Sequence, residues 1–350
     1  MKPILISGIQ PTGKLHIGNY LGALKNFVDL QNSGKYQCYF FIADLHSLTE
    51  DFNPKEKPIQ VFDLALNYLA AGIDPIKSTV FLQSQISAHS ELMWILNTIT
   101  PMGELSRMTQ FKNKAKTLPK IKTSYGEMYA DKGSLIFDED STVIANIGLF
   151  DYPVLQAADI LLYNAQFVPV GDDQLQHLEF ARTLARKFNN KFGKTFIEPK
   201  PLLTEIPRLM SLDDSTKKMS KSRPAGCLFM DDSPEIIREK IKKAVTDSGS
   251  EIKYDLENKP AISNLIEIYQ AMSGDSVKNI EKQYKGRGYG DFKKDLTEII
   301  TAYLAPFQKT KKRLKAQPQK IIKILEAGAA KARIATQKTM EEVKKKIGLI

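Results

Sequence analysis

The chain has 350 residues and a mass of 39.4 kDa, so its size predicts one large domain or two unequal ones. Its composition, 42% hydrophobic, 9% aromatic and 26% charged, excludes a disordered or fibrous protein. The net charge of +10 is concentrated in residues 309–350, which carry 13 Lys or Arg and 3 Asp or Glu, and it indicates either a polyanionic partner such as nucleic acid or a solvated, lysine-rich helix face.

Short apolar runs alternate with helical periodicities through the first half of the chain, which predicts parallel strands joined by crossover helices. Strands are predicted at 3–9, 38–43, 78–83 and 167–170, and helices from residue 18, at 55–71 and at 172–188. This order is typical of a Rossmann-like, doubly wound α/β sheet. Such sheets bind ligands beyond the carboxyl ends of their strands.

Residues 113–151 interrupt the alternation, being rich first in Lys and then in Gly, Tyr and Asp, and we interpret them as a mobile surface insertion. Beyond residue 233 the pattern is helical, with runs near 233–246, 260–272, 291–305 and 320–346 separated by Gly and Pro. We therefore expect a Rossmann-like domain at 1–211, a loop at 212–225 and a C-terminal α-helical domain at 226–320. A final helix at 321–350 either extends that domain or folds back on the α/β core.

Membrane and metal sites are not expected. No apolar run reaches the about 18 residues that a membrane-spanning helix needs, and the first residues turn polar too early for a signal peptide. We expect a cytoplasmic protein. Cys38 and Cys227 are too few for a disulfide framework or a four-thiolate zinc or iron–sulfur site, and both are expected to be reduced and buried.

The turn after the first strand, residues 8–14, has the glycine and lysine spacing of a phosphate-binding P-loop. Leu15 stands where that loop needs a hydroxyl group for Mg²⁺. Two glycines and a lysine often match by chance, so a P-loop kinase or ATPase is the weaker hypothesis. A non-enzymatic RNA-binding protein is a second rival, and only the basic C-terminus favours it.

Two polar motifs point to a nucleotide. His16-Ile-Gly-Asn19 opens the first helix, where imidazole and amide groups and the helix dipole favour phosphate. Lys218-Met-Ser-Lys-Ser222 lies in a polar loop whose two lysines can neutralise charge on a triphosphate. Taken singly, the first is as well explained by a helix cap and the second by a solvated loop. Together, in this order on this fold, they predict a triphosphate site.

With these motifs the chain resembles the class I aminoacyl-tRNA synthetases. Residues 7–11, 16–23, 151–163 and 168–179 are similar to the bacterial tryptophanyl branch of that family. Three features depart from the family pattern. Asn19 is the fourth residue of the first signature, which is of the His-Ile-Gly-His type in the family. Gln156 stands where bacterial members usually have Met, and the 113–151 insertion is longer than expected. The resemblance implies activation of L-tryptophan by Mg·ATP to tryptophanyl-adenylate and pyrophosphate, followed by transfer to tRNA(Trp). It further implies a homodimer whose helical domain binds the anticodon arm.

The resemblance also implies site residues. Catalysis by positioning and charge stabilisation would fall to His16, Asn19, Lys218 and Lys221. ATP would contact Gln10, Pro11, Thr12, Gly18, Asn19, Gly171, Asp172, Asp173, Leu209, Lys218, Met219, Ser220, Lys221 and Ser222. Tryptophan would contact Ile6, Gln10, His46, Tyr152, Gln156, Asp159, Val168, Val170 and Gln174. No residue is expected to bind a metal directly, and Mg²⁺ would arrive on the ATP phosphates.

Asp159 is the residue that the resemblance assigns to the indole N–H. A carboxylate within an apolar helical run is costly unless it is paired, so either a substrate donor or a local salt bridge is required. Gln156, one helical turn earlier, is similar to the tyrosyl-tRNA synthetases, where a glutamine helps to read a phenol ring. Tyrosine therefore stays the alternative substrate, although the 171–177 segment favours tryptophan. For tRNA we expect contacts from Lys311, Lys312, Arg313 and Lys315.

Overall fold

The computed structural model describes residues 2–109, 121–123, 126–128, 146–203 and 209–350. The strands are β1 (Ile4–Ile9), β2 (Gln37–Ile42), β3 (Ser78–Leu82), β4 (Ile121–Thr123), β5 (Gly126–Met128), β6 (Phe167–Val170), β7 (Lys200–Leu203), β8 (Met210–Ser211) and β9 (Asp214–Lys218). Helix α1 runs through three segments, Ile17–Asn19, the π-helical Tyr20–Leu24, and Lys25–Asn32. The other helices are α2 (Lys57–Ala71), α3 (Ala88–Asn97), α4 (Met102–Leu105), α5 (Ile147–Leu161), α6 (Leu175–Phe192), α7 (Pro234–Lys243), α8 (Pro260–Ser273), α9 (Val277–Gln283), α10 (Tyr289–Lys315) and α11 (Pro318–Lys346).

A five-stranded parallel sheet in the order β3-β2-β1-β6-β7 forms the centre of the first domain. The predicted Rossmann-like class is therefore confirmed. The sheet has one more strand than predicted, β7, which carries a proline and breaks the apolar pattern. Because β1 is flanked by β2 on one side and by β6 on the other, the direction of winding reverses beyond the end of β1, and such a switch point is a ligand site.

The sheet has apolar packing on both faces. One cluster joins α1, α2 and the C-terminal helices, and the second contains α3, α5 and α6. The second face includes Ile6, Val168 and Val170, three of the residues expected in the amino-acid pocket.

Helix α11 lies against β3, the edge strand of the sheet. A Cβ at Gly328 would overlap the carbonyl oxygen of Val80, so only glycine permits this approach. Polar contacts continue along the helix, since Arg333 donates to the Gln85 carbonyl and Lys344 pairs with Glu91 at 2.6 Å. The helix thus covers a strand edge that would otherwise offer unpaired backbone groups.

Two helical boundaries differ from the sequence-based expectation. Helix α10 continues through Pro306 to Lys315, where a break was expected, because Phe307 beyond the proline is buried and holds the helix against the core. Helix α5 begins at Ile147, inside the segment interpreted as an insertion, because the Asn146 side chain caps it by accepting from Leu149 N. Most of the predicted 113–151 insertion lies outside the described residues; within it, β4 and β5 form an antiparallel pair.

Lys311 does not face solvent, so its predicted role in tRNA binding is wrong. Its Nζ lies 2.8 Å from Asp63 of α2 and 2.6 Å from Asp231, and its side chain is 8% exposed. It joins α10 to the first domain. Lys312, Arg313 and Lys315 are exposed.

Candidate active site

Polar side chains gather beyond the carboxyl ends of the central strands. The His16–Asn19 segment follows β1, His46 follows β2, Gln83 directly follows β3, and the turn containing Gly171 follows β6. Parallel strands end at one edge of the sheet, so these segments converge although they are far apart in sequence.

Asp159, on α5, is 1% exposed and receives four donor contacts. His89 Nδ1 lies 2.6 Å from Oδ1 and His46 Nε2 lies 2.7 Å from Oδ2. Gln83 Nε2 donates to both oxygens, at 2.8 and 2.9 Å. Burial raises the pKa of Asp159, but the charge of His46 and the hydrogen bonds from both histidines outweigh it and lower the pKa to about 2. The group is therefore an ionised acceptor.

The residues around Asp159 were only partly predicted. His46 was expected in the site, whereas Gln83 and His89 were missed. A signal existed, because Gln83 ends a buried strand and His89 lies in the first turn of the next helix, the usual position for site residues on this fold. An ionised carboxylate has about four lone-pair positions. Since the four contacts occupy them, a substrate N–H can reach Asp159 only if one donor moves away.

The other residues expected near the amino acid lie on the same side of the sheet. Ile6, Val168 and Val170 are buried on β1 and β6. The Tyr152 hydroxyl is 2.8 Å from His177 Nε2, and its ring meets His46 edge-on at 6.2 Å. Burial raises the pKa of Tyr152 to about 12, so the phenol is neutral.

Gln156 does not bond to Asp159. Its Nε2 is 3.5 Å from Gln174 Oε1, and Gln174 Nε2 donates to Asp173 at 2.9 Å. Asp172 and Asp173 are exposed on a short 3₁₀ turn after Gly171. These amides and carboxylates form a polar rim next to the apolar pocket. Gln10, half-buried just after β1, accepts from Thr12 N through its backbone carbonyl at 3.0 Å.

His16 caps α1. Its Nδ1 accepts from Asn19 N at 3.3 Å, so the neutral ring carries its proton on Nε2. Burial and then the charges of Lys221 and Lys218 lower its pKa to about 4. At neutral pH the imidazole is thus an uncharged donor. Gly18 lies beside it, since a Cβ there would be 3.0 Å from the ring.

Asn19, at the end of the same segment, has a buried Oδ1 without a hydrogen-bond partner among the described residues. A buried amide oxygen without a partner costs free energy. A ligand donor at this position would therefore be stabilising.

The 218–222 segment is less loop-like than its composition suggested. Lys218 ends β9, and Met219 is buried, with its N–H donating to the carbonyl of the buried Leu209 at 3.0 Å. Lys221 Nζ lies 3.2 Å from Thr12 Oγ1. Burial lowers the pKa of Lys221. Ser220 and Ser222 hydroxyls are 2.9 Å apart.

A short backbone pairing joins the first signature segment to residues 228–230, which follow the second segment in the chain. Ile17 N donates to Leu228 O and Met230 N donates to Leu15 O, both at 2.9 Å. Pro11 and Leu15 are buried beneath them. The charges of Lys221 and Lys218 act on the His16 ring, so these groups lie near one another, and Asn19 belongs to the same segment as His16. Such donors and cations are suited to a phosphate chain.

Metal ligands are absent from the described part of the chain, in which no group of three or more His, Cys, Asp or Glu residues is arranged to hold an ion. Cys38 and Cys227 are buried free thiols. None of the described helices is both long enough and apolar enough to cross a membrane.

Comparisons with known proteins show which family the chain resembles. Residues 1–305 match the family model of class I tRNA synthetases (W and Y). The tryptophan–tRNA ligase of Caldanaerobacter subterraneus subsp. tengcongensis is 45% identical over 349 residues, covering 99% of this chain and 98% of that protein. The tryptophanyl-tRNA synthetase structure from Mycoplasma pneumoniae is 34% identical with a TM-score of 0.86 over 99% of this chain and 98% of that one. The Campylobacter jejuni enzyme, solved with ADP and tryptophan, is 36% identical with a TM-score of 0.79 over 98% and 99%.

Proposed function

The chain belongs to the class I tRNA synthetases (W and Y), and from that premise we propose that it is a tryptophan–tRNA ligase. The observation that carries the proposal is the contact of Lys221 with Thr12, which brings the second signature segment to the turn that leads into the first. Asp159 is bound nearby, by side chains that follow β2 and β3. The family resemblance drawn from the motifs is confirmed. The P-loop hypothesis is wrong: Leu15 is buried, its carbonyl is bonded to Met230, and no hydroxyl stands there for Mg²⁺.

The first step joins the tryptophan carboxylate to the α-phosphate of ATP, and pyrophosphate leaves with the electrons of the broken P–O bond. No side chain acts as a nucleophile. The His16 Nε2–H donates to phosphate oxygens while Lys218 and Lys221 neutralise the charge that develops on pyrophosphate. The unpartnered amide oxygen of Asn19 accepts a hydrogen bond from a ligand hydroxyl or N–H group. Mg²⁺ enters as part of the substrate Mg·ATP, bound to its phosphates.

In the second step the terminal adenosine hydroxyl of tRNA(Trp) attacks the activated carbonyl, and AMP leaves. The exposed cations Lys312, Arg313 and Lys315 at the end of α10 contact the tRNA backbone. The helical domain receives the anticodon arm, and the reaction takes place in the cytoplasm.

Recognition of the indole ring depends on Asp159. Because its acceptor positions are filled, the indole N–H replaces the His46 donor. His46 is the replaceable one, since it lies on the 3₁₀ turn His46–Leu48 and its ring faces Tyr152 of the pocket. A buried site built to satisfy one N–H group strongly rejects a ring that lacks it. Gln156 supports the alternative of tyrosine activation.

A homodimer is proposed through the face formed by α3, α4 and the start of α5. Trp94 is 72% exposed, Met102 61% and Ile147 80%. An Asn97–Asp151 hydrogen bond at 2.9 Å ties α3 to α5 beneath this face. Large exposed apolar side chains on neighbouring helices are candidates for an association surface.

Amino-acid-dependent exchange of pyrophosphate into ATP tests the function. We expect exchange with tryptophan and at least about 100-fold lower kcat/KM with tyrosine, given the discrimination available to a polar site. Charging of tRNA(Trp) follows in a second assay. Exchange with tyrosine in preference to tryptophan would identify a tyrosyl enzyme, and no exchange with either would disprove the proposed function.

A further inference from the structure

Behind Asp159, on the side away from the pocket, lies a pair of side chains to which the proposed function has given no role. His89 is fully buried on α3, and Tyr163, just after α5, is 2% exposed. The His89 ring uses both nitrogens: Nδ1 lies 2.6 Å from Asp159 Oδ1, and Nε2 lies 3.0 Å from the Tyr163 hydroxyl.

The direction of these hydrogen bonds follows from the carboxylate. Asp159 is ionised and can only accept, so His89 donates to it from Nδ1. In an imidazole with its proton on Nδ1, Nε2 is the acceptor. Burial and then the nearby charge of Asp159 raise the pKa of Tyr163 well above its usual range, so the hydroxyl keeps its proton and donates it to Nε2.

Packing prevents the pair from rearranging. The Tyr163 ring contacts Tyr39 at 5.1 Å and Phe81 at 6.0 Å between centroids. The His89 ring lies between Phe41 and Phe81, at 6.0 and 6.3 Å. The two phenylalanines beside His89 offer no hydrogen-bond partner, so a flipped His89 would leave both nitrogens poorly satisfied in a dry interior.

We propose that His89, locked by Tyr163, is a positioning residue that fixes Asp159 as an acceptor and so sets the preference for a substrate ring that bears an N–H group. The proposal rests on the proposed function. It gives the two histidines different roles. His46 faces the pocket and its hydrogen bond to Asp159 is replaced by one from the substrate, whereas His89 stays bonded to Asp159 with and without substrate. Without the Nδ1 donor, Asp159 Oδ1 loses a charge-assisted hydrogen bond and keeps only the Gln83 amide as a donor, so the carboxylate rotates or takes up a proton more readily.

Two substitutions at His89 separate the role of each nitrogen. His89→Asn places an amide N–H near the position of Nδ1 and keeps the donor to Asp159. His89→Gln places its amide near Nε2, keeps a partner for Tyr163 and lacks the donor to Asp159. Tyr163→Phe removes the lock with little change of volume. Melting temperature and the KM for ATP serve as controls, because the ATP cleft lies around His16 and Lys221.

The measurement is pyrophosphate exchange with tryptophan and with 3-(benzothiophen-3-yl)alanine, whose ring sulfur replaces N–H. The ratio of the two kcat/KM values is the discrimination. We expect His89→Gln to lower it at least about tenfold and Tyr163→Phe to lower it less, while His89→Asn stays within about threefold of wild type, as expected for one lost hydrogen bond to a charged group. The KM for ATP should not change.

Unchanged discrimination in folded His89→Gln and Tyr163→Phe proteins would overturn the proposal. So would equal losses in His89→Asn and His89→Gln, which would indicate only a structural role. If His89→Gln does not fold, Tyr163→Phe alone decides the matter, because it retains the ring and its packing. Absence of tryptophan-dependent exchange in the wild type would instead refute the proposed function.

Discussion

Lys221 and Thr12 are 209 positions apart in the chain, yet Lys221 Nζ lies 3.2 Å from Thr12 Oγ1. The contact is part-buried and links the end of the 218–222 segment to the turn after β1. The contact brings together two segments that, in sequence alone, each resemble an ordinary surface loop.

Replacing Lys221 or Lys218 by alanine should slow adenylate formation about 100-fold each, since each removes one donor that stabilises charge in the transition state. Tryptophan affinity should be nearly unchanged. Single-turnover activation rates and equilibrium tryptophan binding measure the two effects. Lys217→Ala is the control, because Lys217 pairs with Asp214 and is 62% exposed. A twofold effect or less for both site lysines would contradict the assignment.

His16→Asn separates the cap from the phosphate donor. The asparagine oxygen can still accept from Asn19 N, so stability at pH 7 should change by less than about 1 kcal/mol, while the loss of Nε2–H should slow activation about 100-fold. The His16 pKa is lowered to about 4, so the unfolded chain binds a proton before the folded one does.

The pH dependence of unfolding gives His16 a second test. Above pH 6.5 the ring is neutral in both states and its titration does not affect stability; as the pH falls towards 4 the unfolded chain takes up the proton first, and the fold loses about 3 kcal/mol relative to neutral pH. Urea unfolding should show this acid-dependent loss in the wild type and not in His16→Asn. Parallel pH profiles for the two proteins would exclude the lowered pKa.

Asp159→Asn should destabilise the fold as well as reduce selectivity for tryptophan. The new amide N–H₂ group would face donors from His46, His89 and Gln83, and a buried carboxylate partner would be lost. The Asp159 pKa is lowered from 3.8 to about 2, so its stabilisation is present above pH 4 and falls as the pH approaches 2.

The difference in unfolding free energy between wild type and Asp159→Asn should accordingly be about 2 kcal/mol or more at pH 7 and shrink towards pH 2. Asp29→Asn is the control, because Asp29 is exposed and forms a surface ion pair with Lys25 at 2.9 Å. A pH-independent difference for Asp159→Asn would argue against its ionised state.

Of the four basic residues at the end of α10, we expect Lys311 to stabilise the fold and the other three to bind RNA. Replacing Lys312, Arg313 and Lys315 together by alanine should weaken tRNA binding and reduce the log–log salt slope by roughly 0.7–0.9 per lost phosphate contact, with stability preserved. Lys311→Ala should instead lower the free energy of unfolding by about 3 kcal/mol, because it leaves Asp63 and Asp231 unpaired. An unaltered salt slope in the triple variant would remove this segment from the tRNA interface.

Trp94 is the single tryptophan of the chain and reports directly on the proposed dimer face. Dilution should shift its fluorescence to longer wavelength as the face becomes exposed to water, in step with the loss of dimer in sedimentation. Trp94→Asp should give a monomer at concentrations where the wild type is dimeric. Leu256→Asp, at an exposed apolar position in the helical domain, should leave the association state unchanged. A dimeric Trp94→Asp protein would place the interface elsewhere.

The sequence by itself determined the fold class, the family and the substrate chemistry. The apolar runs predicted the ends of β1, β2, β3 and β6 to within one or two residues, because parallel strands that are buried on both faces consist of short runs of apolar residues. The signature segments at 16–19 and 218–222 could also be recognised from the sequence, since binding phosphate requires particular side chains at short spacing.

Only the tertiary structure decided which partners complete the site. Asp159 is paired with residues 113, 76 and 70 positions away, and Lys311 with residues up to 248 positions away, distances at which no local pattern constrains the match. The course of α10 was also decided by tertiary packing. The helix continues through Pro306 because the burial of Phe307 outweighs the local tendency of proline to break a helix. The helix or strand propensity of a segment depends on residues a few positions apart. The desolvation of a charged group depends instead on the side chains that the fold places around it.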